Sequence, residues 1–359
     1  MERAALGDEA VASARRLGNP ATLAYALEGK WAVLFDALPG DQEERLAVAT
    51  EMAELGNESG VKERAWSGHL ARLIVFTERG DRRAADGELN MVTQLAEALR
   101  QPAQLQMTLG TRALFALLEG GLEAPEVLIE ESVTLGERTW TASLLNARVE
   151  TWMLRRHQGR LAEAREGIEL CLEEFPERSP FCRCVLAHLS AELGERDEAR
   201  GLFHELAADR FAGVPLTSDR LVNLGLLADV ASVLNDPEQA EVLYGLLLPA
   251  VACNAIDVPE IFTGAVARNL GALAALMGRW TEAENHFEAA LDMNEGFGAR
   301  PWVAHTQVGF SRMLLARHNR GDRERSLALL RDARNNFEQL GMESWAVESA
   351  DLMENALAV

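Results

Sequence analysis

The feature that most limits what this chain can become is a helix-stopping turn that returns at a nearly constant interval. Gly40-Asp41, Gly80-Asp81, Gly120-Gly121, Gly159-Arg160, Gly194-Glu195, Asn235-Asp236, Gly278-Arg279 and Gly321-Asp322 follow one another at spacings of 40, 40, 39, 35, 41, 43 and 43 residues. Each turn lies between two helical patterns. Its Gly or Asn supplies the left-handed residue that ends one helix, and the polar residues behind it start the next. One period is therefore a helix-turn-helix hairpin, and hairpins that cannot bury their apolar faces alone must stack. The chain has 359 residues, 48% of them hydrophobic, more than one compact core usually holds. The period reads that excess as an array. Only two Tyr occur, and aromatic residues make up 6%, so strand formers are scarce. The expected class is all-α, with no persistent sheet.

The clearest unit runs from Ala267 to Ala290: Leu270-Gly271, Ala274, the turn at Gly278, then Ala283, Phe287 and Ala290. This is the spacing of a tetratricopeptide hairpin. Gly271 and Ala283 are small where two helices must approach, and Phe287 fills the gap to the next hairpin. Ala199 with Phe203, Ala240 with Tyr244, and Ala164 with Ile168 and Cys171 repeat the second-helix pattern. The expected fold is a tetratricopeptide-like α-solenoid, a right-handed superhelix of antiparallel hairpins forming a single array over residues 1–359. About eight units are bounded at 18–58, 59–100, 101–138, 139–178, 179–214, 215–256, 257–298 and 299–341, with a capping helix at 342–359. Helices are expected to start at Pro20, Pro102, Pro180 and Pro301. Residues 8–17 read as the second helix of a hairpin whose first helix is missing, as if cut from a longer chain. In the last helix, Trp345, Ser349, Leu352, Met353 and Ala356 share a face, while Glu343, Glu348, Asp351 and Glu354 point to water.

Composition and spacing exclude several function classes. Lys and Arg number 35 against 56 Asp and Glu, a net charge of -21 that repels phosphate backbones and anionic lipid. Neither nucleic acid nor membrane is an expected partner. No signal peptide or membrane-spanning run is legible, so a cytoplasmic location is expected. Cys171, Cys182, Cys184 and Cys253 read as reduced, buried thiols. The seven His are scattered, and Cys182 and Cys184 point to different helix faces, so no metal site is expected. His188 and Glu192 form an i,i+4 pair of the kind common on solvated helix faces. No nucleophile elbow or Cys-His signature stands out. The expectation is no catalytic residue, no cofactor and no enzyme.

The segments Arg268-Asn269-Leu270-Gly271, Gly278-Arg279-Trp280, Ala283-Glu284, His286-Phe287-Glu288-Ala289-Ala290-Leu291, Gly298-Ala299-Arg300-Pro301-Trp302, His305-Thr306 and Arg312-Met313-Leu314-Leu315-Ala316-Arg317 carry a likeness. In these the chain resembles the C-terminal repeat region of large bacterial ATP-dependent regulators, the LuxR or MalT-like type, including those fused to nucleotide cyclase domains. Gly298, Arg300, Pro301, Trp302 and His305 are the most specific part. The resemblance implies a sensor and interaction platform serving an upstream P-loop ATPase module in cis. That module is not in this sequence: the one Gly-Lys pair, Gly29-Lys30, is followed by Trp31 where a phosphate loop needs Ser or Thr.

The remaining candidates are polar residues on first helices, which line the concave face of such a solenoid. With the Gly271 unit as ruler, the groove-facing set includes Asn146, Arg156, His188, Asp229 and Arg268. The leading reading is a non-catalytic scaffold or sensor region of a signalling or transcription regulator, binding a protein, a peptide or a small inducer in its groove. The alternatives are a stand-alone adaptor and an enzyme on a helical solenoid. Trp31, Trp66, Trp140, Trp152, Trp280, Trp302 and Trp345 read as inter-helix packing, with Trp302 a wedge between the last two hairpins. Arg268 is expected to be exposed, so that Arg268→Ala weakens binding of an acidic ligand by about ten- to a hundredfold with little change in melting temperature.

Overall fold

The computed structural model describes residues 2–35, 41–136 and 142–358; Gly40, Trp140 and the 138/139 unit boundary lie outside them. Eighteen α-helices occur among the described residues. They are α1 (Glu2–Leu17), α2 (Pro20–Phe35), α3 (Gln42–Ser59), α4 (Lys62–Arg79), α5 (Arg82–Leu99), α6 (Pro102–Glu119), α7 (Glu123–Gly136), α8 (Ala142–His157) and α9 (Arg165–Glu174). After these come α10 (Ser179–Glu192), α11 (Arg196–Phe211), α12 (Arg220–Leu234), α13 (Pro237–Leu247), α14 (Val266–Leu276), α15 (Trp280–Phe297), α16 (Arg300–Arg317), α17 (Asp322–Leu340) and α18 (Glu343–Ala358). Pro20 and Pro102 open their helices, and Pro180 and Pro301 sit in first turns. There a missing N–H costs nothing. The turn residues Gly80, Gly159, Gly194, Asn235 and Gly278 all have positive φ, and Asn235 closes α12 by donating its N–H to Ala231 and Ser232 carbonyls.

Successive helices pack antiparallel, and the even-numbered ones also touch across repeats: α10 on α12, α12 on α14, α14 on α16. They form the inner layer of an all-α, tetratricopeptide-like solenoid. The small-residue argument holds at the best-formed unit. A β-carbon on Gly271 would stand 3.0 Å from the Phe287 ring, and Phe287 stacks on Phe310 of the next hairpin at 5.4 Å.

Two findings depart from the sequence-based expectation. The first is a β-hairpin between α13 and α14, with β1 (Asn254–Asp257) antiparallel to β2 (Ile261–Ala265). All nine strand residues are buried. A lone two-stranded hairpin is marginal in water; this one is held inside the superhelix. Asn254 Nδ2 donates to Thr77 O of α4 at 2.8 Å, and Asn294 Oδ1 of α15 accepts from Ala265 N at 3.0 Å. Phe262 stacks on Phe297 at 5.6 Å. Fully buried strands lose the polar alternation that marks a surface strand, so no period-two pattern betrayed them.

The second departure is closure. A hairpin of a solenoid ordinarily contacts only its neighbours, yet the last four helices pack back on α5–α8. Arg300 Nη1 donates to Glu119 O at 3.3 Å, and Trp345 Nε1 to Arg156 O at 3.0 Å. A β-carbon on Gly120 would collide with Leu340, and one on Gly159 with Ser344. The Arg82 guanidinium lies 5.4 Å from the Phe115 ring and 5.8 Å from the Phe297 ring, spanning the seam. Such long-range contacts couple distant repeats, so α4–α18 should unfold together. Among the described residues, the terminal helices α1 and α2 stand outside the seam and pack mainly on one another and on α3 and α4. Hydrogen exchange should therefore release α1–α2 amides well before those of α12–α16. Equal protection of both groups would contradict this arrangement.

Candidate functional site

Closure leaves a cup of about 790 Å³ whose walls are the inner helices α10, α12, α14, α16 and α18, with the end of α8. Residues one helical turn apart supply it: Arg268, Ala272, Ala275 and Leu276 from α14, and His305, Val308, Arg312 and Ala316 from α16. The walls are largely apolar, with Val233, Trp280 and Met313 among them. Beneath the floor lies Trp302, buried against Phe262 of β2 at 6.5 Å between ring centroids. Trp302 thus stands between the floor arginines and the hairpin.

The floor is a set of paired charges. Arg156 Nε and Nη2 donate to Glu192 at 2.8 and 2.7 Å, while its guanidinium lies 5.4 Å from the Trp302 ring and 4.9 Å from the Trp345 ring. Arg268 donates to both Asp229 oxygens, at 3.0 and 2.9 Å, and also lies 5.4 Å from the Trp302 ring. His188 Nε2 is 3.7 Å from a Glu192 oxygen and 3.7 Å from an Asp229 oxygen. Burial opposes ionisation of both carboxylates. Arg268 and His188 nevertheless hold Asp229 well below the usual carboxylate range, and Arg156 with His188 lowers Glu192. Burial, with the Arg156 charge beside it, depresses His305 far below an ordinary imidazole and His157 to about 4. Both rings are neutral at pH 7. Arg156 Nη1, Arg268 Nε, His188 Nδ1 and His305 Nε2 have no hydrogen-bond partner among the described residues.

At the mouth, Arg312 pairs with Glu348 at 2.5 Å, and exposed Arg196 has no ion-pair partner among the described residues. Four lining arginines thus face three lining carboxylates, in a chain whose net charge is -21. Ser232, which lines the cup, spends its hydroxyl on Ala228 O at 2.9 Å. No nucleophile-base pair is assembled in this lining. Among the described residues no group of three or more His, Cys, Asp or Glu could hold a metal ion, and no helix is long and apolar enough to cross a membrane.

The structure brings Arg156, His188, Asp229 and Arg268 together on this floor, whereas Asn146, half-buried on α8, is not part of the lining. Asn146 lies ten residues before Arg156, too far toward the start of α8 to reach the cup at its end. His188 and Glu192 are not solvated: His188 is 2% exposed and the pair is built into the charge network. Of the Gly298–His305 motif, His305 lines the cup and Trp302 lies beneath its floor. Gly298 caps α15 with φ 73°, Pro301 begins α16, and Arg300 serves the seam with Glu119 and Gln339. Trp302 is more than a wedge between the last hairpins, since it reaches α8 and β2 through His157 and Phe262. Glu348, its side chain 42% exposed, lines the mouth of the cup because α18 folds back on α8. Glu192, Arg196, Trp280, Arg312 and Trp345 were missed as lining residues. Helical phase from His188 was the one signal that could have found Glu192.

Arg268 is also not the exposed side chain that was expected. It is 11% exposed and engaged with Asp229. Arg268→Ala strands a mostly buried carboxylate, so it should cost roughly 2 to 4 kcal/mol of stability, and Asp229→Ala in the same chain should return part of it. A thermal melt of the single and double variants checks this; an unshifted Arg268→Ala melt would restore the sequence-based expectation.

The tetratricopeptide repeat family model matches residues 262–339, the stretch from β2 to the end of α17. No curated protein matches the chain. Over that stretch, and in the stacked hairpins on either side of it, the chain has the architecture of repeats that mediate protein–protein interaction.

Proposed function

We propose that this chain is the scaffold and sensor region of a bacterial signalling or transcription regulator, and that its cup receives a carboxylate-bearing segment of a protein partner. The observation that carries this is the lining itself: apolar walls around four arginines and three carboxylates, on a molecule that is otherwise strongly acidic. Arg196 at the rim supplies unpaired positive charge, and the fixed arginines of the floor orient an acceptor. The reading includes a single repeat array over the whole chain, a cytoplasmic setting, and an upstream ATPase module in cis as the source of chemistry. A small-molecule inducer is the second reading. It is favoured by the size of the cup, because a largely apolar pocket of about 790 Å³ with a few fixed polar groups suits a compact ligand.

The test places a photo-cross-linking amino acid at Ala275 on the cup wall and, as control, at Leu216, which is 67% exposed elsewhere. One partner segment should be captured from Ala275 alone, and Arg196→Glu should lower its yield. Equal capture at both positions refutes the cup as the site. No protein adduct, together with a small molecule released on denaturing the purified chain, would select the inducer reading.

A further inference from the structure

Helix α1 carries two apolar stripes, and the array uses one of them. Val11 and Ala14 are buried, Val11 in a cluster with Leu27 of α2 and Val48 and Met52 of α3. Beside them Asp8 reaches Lys30 of α2 at 2.8 Å and Arg15 reaches Glu51 of α3 at 2.7 Å, so this side of the helix is turned toward the array. The second stripe is Leu6, Ala10, Ser13 and Leu17, at intervals of four, three and four residues. That is the spacing of a coiled-coil seam. With 3.6 residues per turn it lies on the flank opposite Asp8 and Arg15. Leu6 is 60% and Leu17 72% exposed; Ala10 is exposed, and Ser13 is half-buried, its hydroxyl accepting from Arg16 Nη2 at 2.8 Å. Glu9 and Arg16 edge this stripe on one side, both exposed and neither in an ion pair among the described residues.

We propose that the outer stripe of α1 is a dimer surface whose occupant is α1 of a second copy, antiparallel across a two-fold axis. The stripe is self-complementary in that direction. Its four residues are symmetric about the point between Val11 and Ala12, so Leu6 meets the partner's Leu17 and Ala10 meets the partner's Ser13. A leucine pair closes each end of the contact, and the small residues at its centre let the two helices approach. Charge sets the direction. Residues along one edge of an antiparallel pair face the same edge of the other helix, so Glu9 lies beside the partner's Arg16 and Arg16 beside the partner's Glu9. Two unpaired groups thus make two ion pairs. A parallel arrangement leaves Glu9 and the partner's Arg16 about 10 Å apart along the axis. A two-fold contact also closes on itself, giving a dimer and no chain of copies. Two sixteen-residue helices cover less surface than a permanent dimer buries, so this one is weak and forms as concentration rises.

Sedimentation equilibrium of the full chain at physiological salt, where the -21 charges of two copies are screened beyond about 8 Å, is the test. The mass should climb from 39.3 kDa toward twice that value as concentration is raised. Leu17→Gln, at a position that is 72% exposed and carries no core contact, should leave the chain monomeric over the same range. Glu9→Arg alone, or Arg16→Glu alone, should raise Kd about tenfold, because each sets like charges together at two places. Joining the two reversals in one chain should bring the affinity back. Within one helix Glu9 and Arg16 are two turns apart and do not touch, so only contact between copies gives that rescue. A chain still monomeric at about 1 mM, a dimer indifferent to Leu17→Gln, single reversals without effect, or a double reversal without rescue would each overturn the proposal. So would growth beyond two copies, the sign of α1 stacking on the other end of the array.

Discussion

Arg45→Met is expected to cost about 3 to 5 kcal/mol of stability, the loss that follows when one member of a buried ion pair is removed. Arg45 is fully buried and Glu78 1% exposed, with Arg45 Nη1 and Nη2 donating to the Glu78 oxygens at 2.5 and 3.0 Å. The guanidinium also lies 5.2 Å from the Trp31 ring. Burial raises Glu78 while Arg45 opposes it, so without Arg45 the carboxyl must either take up a proton or carry an unpaired charge inside the α3–α4 contact. Replacing both partners removes that penalty. The double variant Arg45→Met with Glu78→Leu should come back to within about 1 kcal/mol of wild type. Urea unfolding of the two variants is the measurement, and a single variant that loses less than about 1 kcal/mol would show that the pair does not hold this end together.

The second large effect depends on pH. Glu150, on α8, is 2% exposed and packs beneath the tip of the β-hairpin; a β-carbon on Gly110 would meet its carboxyl and Pro259. Burial pushes Glu150 up to about 8, against a weak pull from Ser132, and pushes its neighbour Glu260 up to about 7. Burial likewise raises Asp257, with Glu260 and Asp219 adding to it and Arg178 opposing. The folded chain thus keeps protons that the unfolded chain releases above a carboxylic acid's ordinary pKa of about 4.3. Between roughly pH 5 and pH 8 the folded state binds more protons than the unfolded, so stability falls as pH rises. The contribution is whole in acid and gone once pH has passed through the raised values. Glu150→Gln, which cannot ionise, should change little at pH 5. At pH 9 it should raise stability by roughly 5 kcal/mol, the size set by the shift to about 8 at about 1.4 kcal/mol per unit. Melting curves of wild type and variant from pH 5 to 9 test this, and two curves that run parallel would remove Glu150 from the hairpin's pH response.

Helices, their boundaries and their stacking were legible because local chemistry decides them. Pro20 and Pro102 open helices and Pro301 sits in a first turn, while Gly80, Gly120 and Asn235 close them, since φ preference is a property of the residue itself. The packing of Gly271 under Phe287 was equally readable, as both lie within one hairpin and its neighbour. All five groove candidates came from one ruler, and four of them line the cup, because a first-helix position keeps its phase from repeat to repeat.

The sequence alone therefore determined an all-α array and which helix faces look inward, quantities set by residues a few turns apart. The tertiary structure decided what depends on contacts between elements whose residues lie 29 to 189 apart in the chain. Trp345 meets Arg156 only because the superhelix closes. Residues 254–265 form strands only because the closed interior buries them and supplies Thr77 and Asn294 as hydrogen-bond partners. Arg268 is half of an ion pair, not a free cation, because α12 sets Asp229 opposite it. No local pattern records these distances. They follow from the small rotation added at each repeat, whose sum fixes where the ends of the array meet.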